Sequence, residues 1–351
     1  MRWIRAHIVA TASAVVIVVA AGAAALLLVG HKSPAPPRRV VRPIPVASPA
    51  VQPVASRSHR LVSPFTGEPV KSLRRILAVK IDNIVYARPQ TGINSADIVY
   101  VLPVEGGLTR FLTIFSSHVP PVIGPVRSAR QDDLELLHQF GRPGFAFSGA
   151  QPELLPVVER AHVVNLYAGV TNGYFRDNSR IAPYNLFAES KVLLAESRHA
   201  SKAHSIGFTF GAAPAGGSRL KSKTVTYPSA SYRFTWSPAR KRWLVWIDGS
   251  RAMTSAGKQM DPTTVVIQYT NVITSVFREE GLRPPYAETV GHGAVLVLRN
   301  GRAYKGHWSR PGQYRGTTFT TDGGQPLHFA PGQVWVVLTA KNKAGFNNER
   351  Q

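Results

Sequence analysis

The first 62 residues exclude themselves from any globular core and confine folding to the remainder of the chain. Ile8 to Val29 is a run of 22 residues without a charge, rich in Ala and Val and mildly interrupted by Thr11, Ser13 and Gly22. At about 1.5 Å per residue, a helix of that length covers roughly 33 Å, enough to cross the hydrocarbon of a bilayer. A cleaved signal peptide shares the basic start, here Arg2 and Arg5. Its apolar stretch is shorter, about 7–15 residues, and it ends in a small-x-small site. Here Gly30 is followed by His31 and Lys32. The sequence therefore predicts a tail over 1–7 and a retained single membrane span, a signal anchor, over 8–29. Residues 30–62 follow as a linker with Pro34, Pro36, Pro37, Pro43, Pro45, Pro49 and Pro53. Proline at this density favours polyproline II and supplies no core, so the segment reads either as a stalk of order 90 Å if fully extended or as a merely tolerated disordered linker.

Charge narrows the setting. The chain has 42 Lys+Arg against 19 Asp+Glu, a formal charge of +23, and no acid precedes Glu68. A surface this basic attracts phosphates, carboxylates and anionic lipid. Basic residues flank the apolar run on both sides, and long C-terminal domains cross membranes largely regardless of charge, so flanking charge leaves orientation open. There is no Cys, which excludes disulfides, thiolate zinc sites, thiol nucleophiles and acylation of an N-terminal Cys.

Beyond the linker the pattern predicts two units. Residues 63–210 read as α/β or α+β. Ile76–Ile81, Ile98–Val104, Phe111–Phe115 and Phe145–Phe147 are strand-like, and Asp132–Phe140, Glu153–Ala161 and Leu186–Ser197 helix-like, with Pro156 shortening the second helix. A Gly/Ala-rich stretch, 211–219, reads as a linker. Residues 220–340 read as mostly β. Tyr232, Phe234 and Trp236 alternate, as do Trp243, Val245 and Ile247, across a polar turn. Ala294–Leu298 and Ala303–Trp308 flank Asn300-Gly301, a strong hairpin turn. A third hairpin is expected over Thr317–Thr320 and Leu327–Phe329, with strands at Val265–Tyr269 and Val334–Leu338. Residues 341–351 form a polar tail.

Familiar catalytic signatures are absent: no G-x-S-x-G, P-loop or H-E-x-x-H occurs, and His199 and His204 are off helical register for a shared metal. No cofactor and no metal site are expected. Three polar groups stand out instead. Arg127, Ser128 and Arg130 precede a helix, and Ser128 with Gln131 has capping-box spacing. That would set two guanidinium groups beside free N–H groups and form an anion site. The competing reading is that Asp132, Asp133 and Glu135 neutralise the arginines and complement the dipole. Arg176, Asp177, Arg180 and Asn185 share a loop of turn formers, either as a ligand loop or as a structural Asp177–Arg180 turn. Glu105 and Arg110 flank a tight turn between strands and are expected opposite one another, ordinarily a weak cross-strand pair.

Ser63-Pro-Phe-Thr-Gly-Glu-Pro-Val, Ala87-Arg-Pro-Gln-Thr-Gly, Ala96-Asp-Ile-Val-Tyr, Val104-Glu-Gly-Gly-Leu-Thr-Arg-Phe, Ile123-Gly-Pro-Val-Arg-Ser-Ala-Arg and Phe175-Arg-Asp-Asn-Ser-Arg together resemble the YerB-like bacterial lipoproteins, a family built around a domain of unknown function. The likeness continues more weakly through Val265–Tyr269, Trp308-Ser-Arg and Pro331-Gly-Gln-Val-Trp. It implies an extracytoplasmic, membrane-attached protein of two units with no assigned reaction. Two departures matter. The family's lipid-bearing Cys is missing, so Ile8–Val29 would replace the lipid. The family's His also has Tyr184 in its place, so a role for that His as a base does not carry over.

Two functions follow from these residues. One is a non-catalytic envelope module that binds an anionic polymer, a lipid headgroup or an envelope protein through Arg110, Arg127, Ser128, Arg130, Arg176, Arg180 and Asn185. The other is an enzyme of envelope glycan or phosphate, with Glu105 and Asp177 as its titrating groups. Nucleic acid is not an expected partner, because no recognition motif accompanies the charge.

Overall fold

The computed structural model describes residues 60–278 and 281–341. The tail, the predicted span over Ile8–Val29, nearly all of the linker and all but Lys341 of the C-terminal tail lie outside them. Among the described residues no helix is long and apolar enough to cross a membrane.

The first region supplies strands β1 (Leu77–Asp82), β2 (Ile98–Pro103), β3 (Thr109–Phe115) and β4 (Val122–Ile123), then helix α1 (Gln131–Leu137). β5 (Gly144–Phe147), α2 (Leu155–Arg160), β6 (Val164–Tyr167), β7 (Tyr174–Arg176), β8 (Leu186–Glu189) and α3 (Ser190–Glu196) complete it. The second region adds β9 (Ser218–Arg219), β10 (Ser222–Thr226), β11 (Ser231–Ser237), β12 (Arg242–Ile247), β13 (Ser250–Arg251) and β14 (Thr264–Thr270). It ends with β15 (Val272–Thr274), β16 (Pro285–Ala287), β17 (Gly291–Arg299), β18 (Arg302–Arg310), β19 (Thr318–Thr321) and β20 (Val334–Ala340). The architecture is mostly β with few helices.

One sheet passes through both regions, in the order β19-β18-β17-β14-β20-β2-β3-β1-β5-β6, with β9 beside β18. The last strand, β20, lies between β14 and β2 and is parallel to both; Val336 faces Val266 on one side and Tyr100 on the other. β1, β5 and β6 form a parallel edge. Every residue of β1, β2, β3 and β20 is buried, as expected of central strands covered on both faces, and their sequences are near-continuous apolar runs.

Alternation assigns the two faces. Ala78, Tyr100, Leu112, Phe145 and Val336 pack on one side with Leu134, Leu137 and Phe140. Val79, Val101, Phe111, Ala146 and Trp335 pack on the other with Tyr232, Phe234, Trp243 and Val245 of the small sheet β10-β11-β12-β13. Phe111 meets Trp335 and Tyr232 edge-on at 5.5 and 6.3 Å between ring centres. The two regions therefore share their cores.

Four local expectations need correction. Leu186–Ser197 is a strand followed by a helix, because Leu186–Glu189 pairs with β4 and β7 before α3 begins. Helix α1 begins at Gln131 with Arg130 as its N-cap, and Asp133 accepts the Arg130 N–H at 2.7 Å. Ser128 therefore does not cap it. Arg110 stands opposite Leu102 in the β2–β3 ladder, because the turn takes in Val104 to Leu108 and carries Glu105 off the register. The third hairpin is present but short: Thr320 bridges Pro326 antiparallel, and the second limb leaves the ladder before Phe329. Leu327 donates its N–H to the Phe319 carbonyl at 2.9 Å, and Phe329 bridges instead to Phe210.

Candidate functional site

Three of the residues singled out in the sequence, Arg127, Ser128 and Arg176, meet at the carboxyl ends of β1, β5 and β6, where open α/β sheets commonly leave a crevice for ligands. Residues 124–129 run along this end: Asp82 donates its N–H to Pro125, Arg127 donates its N–H to Lys80, and Ser148 donates to Arg127, at 2.9–3.0 Å. A short sheet, β4-β8-β7, supports the far side. Between them lies a cleft of about 580 Å³ lined by Arg127, Ser128, Ser148, Tyr167, Tyr174 and Arg176 among others.

Arg127 forms an ion pair with Asp82 (Nε to Oδ2, 3.0 Å) and lies over the Tyr184 ring, 5.4 Å from its centre. Tyr184 stacks on Tyr86 at 5.8 Å. Arg176 is exposed and donates from Nη1 to Asn185 Oδ1 at 2.7 Å. Asn185 in turn donates to the carbonyls of Asp177 and Arg180 at 3.3 Å. Its part is to shape the loop and aim Arg176. No carboxylate pairs with Arg176 among the described residues.

The remaining candidates lie elsewhere. Arg180 pairs with Asp177 at 3.5 Å, lies over Phe187, and donates to Ala87 and Pro89, so it ties two loops together. Asp177 is held by Ser179, whose hydroxyl and N–H, joined by the nearby Arg180, keep its carboxyl below the usual range. Arg130 is buried with Nε 2.5 Å from Glu105 Oε1. Burial opposes ionisation of Glu105, but Arg130 and Arg110 outweigh it and hold the carboxyl below its ordinary value. Neither Glu105 nor Asp177 lines the cleft. Arg110 is buried and donates from Nη1 to the Ser128 carbonyl at 3.2 Å, while its Nε has no partner. Burial first, then Arg130, bring Arg110 down to about 10.

Between β1 and the first turn of α1 lies an ion pair that the sequence reading missed. Lys80 Nζ is 2.7 Å from Asp133 Oδ1, both side chains fully buried. The signal was present as one cation inside the apolar strand LAVKID. Asp132 is buried beside them, and desolvation, with Asp133 adding and Lys80 opposing, pushes it up to about 7. The N-terminus of α1 is thus occupied by the chain's own carboxylates, and at seven residues the helix offers no anion site there. What the structure brings together is Arg127, Ser128 and Arg176 around one cleft, with Arg110 behind the Ser128 backbone.

Residues 65–206 match the N-terminal domain, and residues 223–336 the C-terminal domain, of a family described as a protein of unknown function (DUF3048). A stretch of 90 residues is 43% identical to the "Putative lipoprotein YerB" of Bacillus subtilis (strain 168) and spans 25% of this chain and 27% of that protein's length. The crystal structure of the YerB protein from Bacillus subtilis matches with a TM-score of 0.69 at 23% identity, over 81% of this chain and 98% of that one, which establishes a shared fold. With both of its domains present in their order along one chain, this protein belongs to the DUF3048 family.

Proposed function

We propose that this protein is a membrane-attached, extracytoplasmic module of the cell envelope that binds an anionic envelope component without catalysis. The observation that carries the reading is the arrival of Arg127 and Arg176, from two separate segments, at one cleft. The lipoprotein designation of the Bacillus relative, together with the uncharged run Ile8–Val29, supports the setting. Two guanidinium forks and the Ser128 and Ser148 hydroxyls suit a phosphate or carboxylate, because charge-assisted bonds from Arg are bidentate and strong. The enzyme alternative needs Glu105 and Asp177 in one pocket. Glu105 is gripped by Arg130, and Asp177 belongs to an outer loop.

The test is binding of residues 58–351 to anionic wall polymer and to anionic vesicles as salt is raised. This piece contains the whole sheet and both cores, and the crystallised Bacillus chain of matching extent shows that such a body stands alone. Arg127→Ala with Arg176→Ala should weaken binding at least tenfold at low salt and flatten its salt dependence. Binding that is indifferent to both arginines would remove the cleft from the function.

A further inference from the structure

Around the cleft, three loops carry exposed apolar side chains. Val85 is 61% and Tyr86 63% exposed in the first loop, Val170 78% in the second, and Ile181 66% in the third, while Phe175 at the cleft wall is 40% exposed. These positions are neighbours in space. Tyr86 stacks on Tyr184, Arg180 donates to Ala87, and Gly169, Phe175 and Pro183 line the cleft itself. Hydrogen bonds and a ring contact tie the first loop to the third, and the second folds back on Tyr167, to which Val170 and Thr171 donate their N–H groups.

We propose that the cleft and its rim form a docking surface for an anionic phospholipid membrane, with the headgroup phosphate taken by Arg127 and Arg176 and the tips of Val170, Ile181 and Tyr86 entering the headgroup–acyl boundary. The inference rests on the cleft being the ligand site and adds which ligand it meets. Three observations favour lipid. First, apolar tips are dispersed between guanidinium groups, the pattern of an interfacial membrane contact. A protein partner's hot spot would instead need a contiguous apolar centre from which water is excluded. Secondly, the charge is complementary: Arg176 has no carboxylate partner among the described residues, and Arg127 is still partly exposed despite Asp82. Thirdly, a soluble phosphate polymer gains nothing from an exposed Val170 or Ile181, whereas acyl chains do.

The experiment compares residues 58–351 on vesicles of phosphatidylglycerol, on vesicles of phosphatidylcholine, and with soluble poly(glycerol phosphate), which carries the same phosphodiester without acyl chains. The expected result is salt-sensitive binding to phosphatidylglycerol vesicles and little to phosphatidylcholine. Val170→Ser with Ile181→Ser, both at exposed positions and neutral in charge, should weaken vesicle binding tenfold or more and leave the thermal midpoint in place. Each arginine removed from the cleft should cost about fivefold. If the polymer binds as tightly as the vesicles and the serine variant binds both like the parent, the lipid inference falls while the anion-binding function stands. Absence of binding to either falls on both. Binding that requires protein-containing native membranes, and is lost on vesicles of their extracted lipid, would assign the rim to a protein and overturn the inference.

Discussion

Replacing Lys80 with Met tests whether the floor on which α1 rests is held by charge. The substitution keeps an unbranched side chain of similar length and removes only the ammonium. Lys80 and Asp133 are fully buried and 2.7 Å apart, so Asp133 is left without its counterion in a place water does not reach. Breaking one side of a buried pair typically costs about 3–5 kcal/mol. The structure also predicts how that cost varies with pH. The stranded carboxylate escapes its penalty by taking a proton. Against an unfolded value near 3.9 this costs about 1.4 kcal/mol per pH unit, hence roughly 1.5 kcal/mol at pH 5 and about 4 at pH 7.

The sign follows from the direction of the shift. Asp132 is raised to about 7 in the folded chain by burial, with Asp133 adding and Lys80 opposing. Its folded value lies above its unfolded one, so its contribution to stability is complete below about pH 4 and is lost as pH rises toward 7. Removing Lys80 takes away the charge that opposes the rise of Asp132 and leaves Asp133 without its cation, so the variant's deficit widens from pH 5 to pH 8. At about 2 °C per kcal/mol for a body of this size, the melting midpoint should fall by about 3 °C at pH 5 and about 8 °C at pH 7. Adding Asp133→Asn keeps an oxygen for the Arg130 N–H (2.7 Å from Asp133 in the parent) and should recover most of the loss. Differential scanning calorimetry at several pH values reads all of this. A deficit of equal size at pH 5 and pH 8, or a double variant as unstable as the single one, would show that charge is not what holds this floor.

Two other substitutions probe the joints between the regions. Gly107→Ala places a Cβ 2.4 Å from Pro228 Cβ on a backbone with φ of +69°. Strain and clash together should cost about 2–4 kcal/mol, seen as a lowered urea midpoint with an unchanged m-value. Glu135 accepts the Thr289 N–H and hydroxyl at 2.6 Å, the Val290 N–H at 3.1 Å and the Tyr286 hydroxyl. Glu135→Ala strands these donors, so the amides of Thr289 and Val290 should exchange with deuterium at least tenfold faster while those of β20 keep their protection.

The elements legible in the sequence were those whose signals are local. Tyr232, Phe234 and Trp236 alternate because one face of the small sheet is buried and the other solvated, and Asn300-Gly301 marks its own turn. Strand existence was equally plain in Ile98–Pro103 and Val334–Ala340. Their adjacency was not, because a parallel pair separated by over 200 residues leaves no mark in either segment. The same distinction runs through the site. Arg127 and Arg176 could be nominated as residue types in polar loops, but which arginines face a cleft depends on partners elsewhere in the chain. Asp82, 45 positions before Arg127, carried no sequence signal as its counterion. Lys80 carried one, a lone cation in a strand buried on both faces, and its meaning appears only when Asp133 is seen beneath it.

That three of the nominated arginines hold acids does not neutralise the site; it shows where the charge is left over. Arg130 with Glu105, Arg127 with Asp82 and Arg180 with Asp177 are each matched pairs, and matched pairs contribute little net field at a distance. Arg176 has only the Asn185 amide oxygen, while Arg110, its Nε–H unpartnered and buried, donates to the Ser128 carbonyl and lies in the field of Asp82 and Glu105. Burial and the neighbouring Arg130 already lower the affinity of Arg110 for its own proton. The positive charge left over at the cleft, on exposed Arg176 and partly exposed Arg127, is the part that an anion would meet. The paired acids serve a different end: Asp82 and Glu105 fix the directions of Arg127 and Arg130, so the ordering entropy of those long side chains is spent at folding and not again at binding. A cleft built this way should bind an anion with a modest salt dependence set by Arg127 and Arg176, the two arginines that line it, and a slope corresponding to all five arginines would contradict it.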